Sequence, residues 1–227
     1  MSSGNDRYTP KPPRVPTERP GPVGGKRDAN RRKRIQQLCQ ASLTLFLDRG
    51  IEAVTIDEIV REAGVAKASF YRYFRDKTEV VEVLMEPLTT TLNEAMGRCE
   101  AALNDAEADT DKVTAAYQAL GAEFGALMMK MPRELLLYLQ ESRAPGVRAR
   151  APIRALADEL DARSLELTEV ARRHGLWRPI DPRVSTLVVV GAAERLLLGV
   201  LRGEEVGAVA TVPMQVADLI LNGLGAD

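Results

Sequence analysis

The 227 residues are 45% hydrophobic, 28% charged and only 4% aromatic. This is the balance of a soluble globular chain, poor in the β-branched and aromatic clusters of an all-β sandwich. At this length one large or two small domains are expected. The net charge of −1 hides an asymmetry: residues 1–34 hold ten Lys/Arg against three Asp/Glu, a balance of +7, and the remainder balances at −8.

Two lone cysteines, Cys39 and Cys99, and a single histidine, His174, exclude a disulfide framework and a Cys/His zinc site, so no metal is expected. The longest apolar run, Leu187–Ala193, stops at Glu194 and Arg195, short of the roughly 20 residues that cross a bilayer, so no membrane partner is expected. The N-terminus is basic and Pro-rich without the apolar core of a secretory signal. These features describe a cytoplasmic protein whose basic end meets a polyanion; a merely solubilising leader is the alternative.

Residues 1–27 contain six prolines and no apolar period, which predicts a disordered basic arm unable to bury enough surface to offset its ordering entropy. From Asp28 onward, Ile35, Leu38, Ser42, Leu45 and Phe46 recur at helical spacing, and the helix is expected to end at Gly50 with Ile51 as the following apolar contact. Thr55-Ile56-Asp57-Glu58 reads as a capping box opening a short helix whose inner face is Ile56, Ile59, Val60 and Ala63, stopped by Gly64. A third helix follows over Lys67–Phe74, and a second box, Asp76-Lys77-Thr78-Glu79, opens a fourth. Two short helices joined by a tight Gly turn have the outline of a helix-turn-helix, so residues 28–82 form the expected nucleic-acid-binding domain. Residues 83–227 form the second domain, with helices predicted over about 77–104, 110–130, 133–143, 148–175, 182–203 and 212–224. A bend is expected at Pro87, and Asp181-Pro182 marks a firm helix start. The fold class is all-α: an N-terminal three-helix helix-turn-helix domain followed by a larger helical ligand-binding and dimerisation domain.

The third helix divides by chemistry. Phe70 and Phe74, four apart, point back to the first two helices, while Lys67, Ser69, Tyr71, Arg72 and Tyr73 face outward. That suits a recognition helix, since a major groove about 12 Å wide admits one. Lys67, Ser69 and Arg72 are placed to reach base edges, and the Tyr71 and Tyr73 hydroxyls to reach phosphates, which set register. Thr55 and Lys77 sit at helix N-termini, where free amides favour phosphate oxygens. The alternative is that the tyrosines are core aromatics and the cations a solvated face.

The run TIDEIVREAGVAKASFYRYFRDKTEVV, within residues 31–82, closely resembles the DNA-binding signature of TetR-family transcriptional regulators. The resemblance implies an all-helical homodimer with a divergent C-terminal ligand-binding domain. It also implies that Thr55, Lys67, Ala68, Ser69, Tyr71, Arg72, Tyr73 and Lys77 face a double-stranded DNA operator. One departure is Ala66, where the family often has a Ser or Thr cap, a loss of about 1 kcal/mol locally. Another is the basic arm. Lys26, Arg27, Arg31, Arg32, Lys33 and Arg34 cluster before the first helix and are expected to touch phosphates or the minor groove.

The segment 182–203 is apolar nearly all round, so it is expected to be buried, partly between subunits. Leu187, Val190, Glu194, Arg195, Leu198 and Leu201, with Val216, Leu219 and Ile220 from the last helix, are the expected dimer contacts. Gly199 and Gly203 are read as permitting close helix approach. Glu194-Arg195 is read as an intersubunit ion pair, with a ligand contact as the alternative. A small-molecule effector is expected against Tyr117, Phe124, Met128, Met131, Tyr138, Arg143 and Trp177, because the methionine-rich stretch Leu127–Met131 is of the kind that lines adaptable cavities. His174 reads as a cation complementing a helix C-terminus. No phosphate-cradling Gly loop, metal motif or Ser elbow is present, so no catalytic residue and no cofactor is expected. A helical enzyme or small-molecule carrier with a fortuitous helix-turn-helix start is the competing class.

Overall fold

The computed structural model describes residues 25–105, 109–173 and 180–205, and beyond these 207–208, 211–212, 214–216 and 218–219. Eight α-helices occur among the described residues, and no strand: α1 (Lys26–Arg49), α2 (Ile56–Glu62), α3 (Lys67–Tyr73), α4 (Lys77–Asp105), α5 (Thr110–Lys130), α6 (Pro132–Glu141), α7 (Ala151–Arg173) and α8 (Pro182–Leu201). A single 3₁₀ turn, Arg148–Arg150, precedes α7. The fold class is therefore all-α, as the periodicity predicts. Helix α1 begins two residues early, so Lys26 and Arg27, read as the end of the arm, are its first residues. Residues 1–24 of the arm, and His174 and Trp177, lie outside the described residues. Helix α4 is helical across Pro87 without a break, and the Thr91 hydroxyl donates to the Pro87 carbonyl at 2.9 Å.

The chain forms two compact units, and the division is not the one the sequence suggests. The first takes in the chain up to Met85 together with Gln140–Ala155; the second takes in Glu86–Leu139 and the chain from Leu156 onward. A boundary at residue 82 lies three residues before the end of that first segment at Met85 and leaves out Gln140–Ala155.

In the first unit, Leu38, Leu43 and Phe46 of α1, Ile51 and Val54 of the following turn, Ile59 of α2 and Phe70 of α3 are fully buried, with Val80 and Val81 of α4. Burying Phe46 or Phe70 is worth about 3–5 kcal/mol against Ala, which fixes the three helices to one core. The turn after α1 begins at Gly50, whose φ of 80° with ψ of 155° lies in a region essentially confined to glycine. A Cβ there would also stand 3.1 Å from Glu141 Oε1. That carboxylate accepts from the Ile51 amide at 3.0 Å and, through Oε2, from Arg150 Nε. Arg150 also donates to the Pro145 carbonyl at 2.8 Å and to Glu52 at 3.3 Å. The Glu141 and Arg150 side chains are 6% and 7% exposed, so this is a buried, hydrogen-bonded ion pair.

The Thr55–Glu58 capping box forms in full. Glu58 is held down to about pKa 2, first by the Thr55 amide, then by Arg49 and the Thr55 hydroxyl. The second box forms only in half. Asp76 accepts from the amides of Thr78 at 2.8 Å and Glu79 at 3.3 Å, but the Glu79 carboxylate reaches back past it to the amide and side chain of Arg75. Helix α2 ends in a Schellman motif at Gly64, φ 63°, with Val65 N donating to Val60 O and Gly64 N to Arg61 O.

In the second unit, Asp109 caps α5 and Asp181 caps α8, where Pro182 occupies the first helical position as the dipeptide predicts. Arg98 of α4 forks onto Glu123 of α5. At the end of α8, Arg195 pairs with Glu204 at 3.0 Å, and a Cβ on Gly199 would meet that carboxylate at 2.8 Å. Within the chain, then, Gly199 makes room for an ion pair, not for a neighbouring helix. The thiols of Cys39, in the first unit, and Cys99, in the second, are both pushed up to about 12 by burial, with Glu123 adding to the effect at Cys99.

Arg150→Met leaves Glu141 buried without its counter-charge and is expected to destabilise the protein by about 3–5 kcal/mol, with the double variant Glu141→Gln/Arg150→Met recovering part of the loss; urea unfolding midpoints read both. Glu58 binds its proton less readily folded than unfolded, so the stability it contributes is complete above its ordinary value of 4.5 and disappears as pH falls toward 2. Glu58→Gln is expected to flatten the stability-against-pH curve across that interval, measured by denaturant unfolding at a series of pH values.

Candidate nucleic-acid interface and enclosed cavity

Helices α2 and α3 are short because each is bounded by strong local stops, and α3 is fixed by one face only. Phe70 is fully buried and Phe74 nearly so, and the two rings pack 5.6 Å apart. The opposite face is open. Lys67, Ala68, Tyr71 and Arg72 are exposed, and Ser69 and Tyr73 are also partly accessible, with Tyr71 at 52%. Tyr71 packs edge-on against Phe70 at 5.5 Å, which steadies the ring while its hydroxyl end remains outside the core. The Ala66 N-cap makes no side-chain hydrogen bond, as the missing Ser or Thr implies.

Several of the cations and polar groups read as phosphate or base contacts are engaged within the protein. The ammonium of Lys67 pairs with Asp57 at 2.7 Å, and this hydrogen bond raises its pKa. Both partners are more than half exposed, so solvent screens the pair and it exchanges readily. Lys77 is different. Its Nζ donates to the carbonyls of Ile51 at 2.6 Å, Glu52 at 3.2 Å and Val54 at 2.6 Å. Three N–H groups meet three acceptors, so its side chain stitches the turn before α2 and does not extend to solvent. Desolvation there lowers its pKa despite the neighbouring carboxylates. Thr55 likewise gives both its amide and its hydroxyl to Glu58, each at 2.8 Å. A carboxylate of the chain itself thus occupies the anion position at the N-terminus of α2. These are the partners that the Lys77 side chain and the Thr55 donors have within the chain. On α1, Arg32 pairs with Asp28 at 2.7 Å and Arg31 is half-buried.

The second unit contains a cavity of about 210 Å³ lined by residues of α4, α5, α6, α7 and α8 with Val212 and Val216. It is somewhat larger than the roughly 150 Å³ apolar cavity that admits benzene. Of the residues expected from sequence to meet a ligand, Tyr117, Phe124 and Tyr138 line it. Met128, Met131 and Arg143 do not: Met128 is buried in the core, Met131 closes α5, and Arg143 is exposed in the segment belonging to the first unit. Val190, Glu194 and Val216, expected at a subunit interface, line the cavity instead. Glu194 Oε1 accepts from the Tyr138 hydroxyl at 3.1 Å, and Arg195 is committed to Glu204, so the two adjacent charges serve different faces of α8. Ser164, Thr168, Ser185 and Thr186 complete the polar lining. The signal for them was present as hydroxyl residues set into apolar helical faces, Ser164 and Thr168 four apart.

The other face of α8 is bare. Val184, Leu187 and Val188 are 54%, 51% and 63% exposed, with Leu219 also open; Leu198 and Leu201 are half-buried, and Ile220 lies outside the described residues. Within one chain this face of the helix is therefore not buried. The helix has 20 residues and an 18-residue stretch of mean hydropathy 1.8, so it is long and apolar enough to cross a membrane by length and composition. Among the described residues no group of three His, Cys, Asp or Glu is placed to hold a metal ion.

Residues 38–84 match the family described as bacterial regulatory proteins, tetR family. The transcriptional repressor KstR2 of Mycolicibacterium smegmatis is 34% identical over 86 residues, which is 38% of this chain and 40% of that protein. The matched segment thus spans well under half the length of that relative. Among solved structures, NalD of Pseudomonas aeruginosa, the secondary repressor of the MexAB-OprM multidrug efflux pump, superposes with a TM-score of 0.68 over 88% of this chain and 99% of its own, at 16% identity. AibR, in complex with isovaleryl coenzyme A and operator DNA, gives 0.56 over 84% and 97% at 20% identity. At these identities the structural likeness concerns the fold, and the sequence of the α1–α4 region carries the assignment. Residues 38–84 thus carry the likeness to the tetR family of bacterial regulatory proteins, and the fold of the chain is like that of NalD.

Proposed function

We propose that this chain is a ligand-released transcriptional repressor that binds a pseudo-palindromic operator as a homodimer in the cytoplasm, with no catalytic role. The observation that carries the reading is the two-faced α3: Phe70 and Phe74 locked into the core, and Lys67, Ala68, Ser69, Tyr71, Arg72 and Tyr73 on its accessible side. Two such helices about 34–36 Å apart enter successive major grooves. Lys67 exchanges Asp57 for DNA, Ser69 and Arg72 read base edges, and the tyrosine hydroxyls set register on phosphates. Arg31 and Arg32 add cations from α1. The exposed apolar face of α8, around Val184, Leu187 and Val188 and joined by Leu198, Leu201 and Leu219, pairs with the same face of a second copy and does not meet lipid. The cavity takes the effector, as a ligand-bound neighbour such as AibR suggests. Binding there shifts the dimer away from the operator-matched spacing by no more than the effector's differential affinity for the two states.

A gel shift against the chain's own upstream DNA, beside an unrelated duplex, tests the interface. Tyr71→Phe is expected to weaken both complexes about tenfold, roughly 1.4 kcal/mol, while Arg72→Ala changes the ratio between them. Asp57→Asn releases Lys67 and is expected to tighten both about two- to fivefold. Unchanged affinities in all three would remove α3 from the interface. For the dimer, Val188→Asp introduces a charge at an open position and is expected to give a folded monomer in sedimentation equilibrium; a persistent dimer would place the interface elsewhere.

A further inference from the structure

The hydroxyls that line the cavity are engaged within the chain, with one exception. Thr186 donates to Thr168 at 3.0 Å, and Thr168 to the Ser164 carbonyl at 2.9 Å. Ser185 donates to the Pro182 carbonyl at 3.0 Å, Tyr117 to the Leu167 carbonyl at 3.4 Å and Tyr138 to Glu194 at 3.1 Å. A hydroxyl has one proton to give, and each of these gives it to the protein. The Ser164 hydroxyl, among the described residues, has no hydrogen-bond partner. A serine inside a helix ordinarily settles on the carbonyl four residues back, as Thr168 does one turn later, and Ser164 does not. Ser42 also has an unpartnered hydroxyl, but it is sealed in the core of the first unit, whereas Ser164 forms part of the cavity wall.

The rest of the wall asks for nothing polar. Leu92, Phe124 and Leu197 are typical of it, no Lys, Arg or His is among the described lining residues, and the one carboxylate there, Glu194, is engaged by Tyr138. A charged ligand would be desolvated against hydrocarbon with no counter-charge offered to it, and a ligand with several polar groups would leave most of them unanswered. At about 210 Å³, against roughly 150 Å³ for an apolar cavity that takes benzene, the space suits about eight or nine non-hydrogen atoms.

We propose that the cavity takes a small uncharged lipophile with a single hydroxyl or carbonyl oxygen, and that Ser164 anchors that oxygen. A serine hydroxyl both gives and accepts, so either oxygen answers it, and the remaining body of the ligand meets leucine and aromatic side chains. The proposal deepens the reading of this cavity as the effector site and rests on it.

Isothermal titration of the full chain with α-methylbenzyl alcohol, acetophenone, isopropylbenzene, benzoate and α-methylbenzylammonium varies the polar group on one small aromatic body. The alcohol and the ketone are expected to bind, with benzoate and the ammonium at least about tenfold weaker. Ser164→Ala is expected to weaken the alcohol and the ketone about tenfold, because their oxygen loses its partner. The same variant is expected to strengthen isopropylbenzene, which no longer covers an unpaired hydroxyl. Loss confined to the alcohol or to the ketone supports the anchor and narrows the class to that oxygen. If all three neutral probes respond alike to Ser164→Ala, the anchor is overturned. If a charged probe binds as tightly as the alcohol, the uncharged class is overturned, and if no probe binds the wild-type protein the whole proposal falls. A gel shift against the upstream DNA with α-methylbenzyl alcohol present checks the effector reading separately: binding that depends on Ser164 but releases no DNA upholds the anchor and overturns the effector role.

Discussion

The buried ion pair between Glu141 and Arg150 is the constraint on which the reading head is built. It grips a turn, Gly50–Val54, that a hydrophobic core cannot hold unaided because its backbone groups need partners. Glu141 takes the Ile51 amide from one side, and Lys77 takes the Ile51, Glu52 and Val54 carbonyls from the other. Gly50 is the residue that lets the backbone enter this arrangement, both by its positive φ and by the space it leaves for Glu141. The direction in which α2 leaves α1 is therefore set by charges drawn from residues 77, 141 and 150. An ion pair this dry adds little net stability over a hydrophobic replacement. What it contributes here is a defined hydrogen-bonding pattern at the hinge between α1 and α2.

The same economy of charge governs the exposed surface. Three acids of the chain, Asp28, Asp57 and Glu58, lie on Arg32, Lys67 and the α2 N-terminus respectively. Two of these are exposed pairs that bulk solvent already weakens, whereas Glu58 is held by the Thr55 amide and hydroxyl and the Arg49 guanidinium together. The surface left to a polyanion is therefore smaller, and more centred on α3, than a count of basic residues suggests. In the second unit α8 repeats the theme with opposite faces: Ser185, Thr186, Val190 and Glu194 turned to the cavity, Val184, Leu187 and Val188 turned outward.

Local chemistry was legible in the residues. The Thr55 box, the Gly64 stop, the Asp181-Pro182 start and the spacing of Phe70 and Phe74 each involve groups within five positions of one another, so pattern alone locates them. Contacts that span the chain were not legible. Nothing near Lys77 announces that its ammonium will meet carbonyls 23 to 26 positions earlier, and Glu141 and Arg150 look like ordinary helix-surface charges until the backbone brings them together. Faces of α8 were mis-sorted for a related reason: in a helix apolar nearly all round, periodicity does not say which stripe is inside, and Val190 and Glu194 went to the wrong one. The methionine stretch failed because flexible side chains fill a core as readily as they line a hole.

The two cysteines sit one in each compact unit, both shielded and both far less acidic than a free thiol. At neutral pH neither thiol is a competent nucleophile while its unit stays closed. Opening either unit restores ordinary sulfur chemistry at a single identifiable residue. The chain thereby carries a pair of internal clocks, and the order in which Cys39 and Cys99 become alkylated records which half of the molecule breathes first.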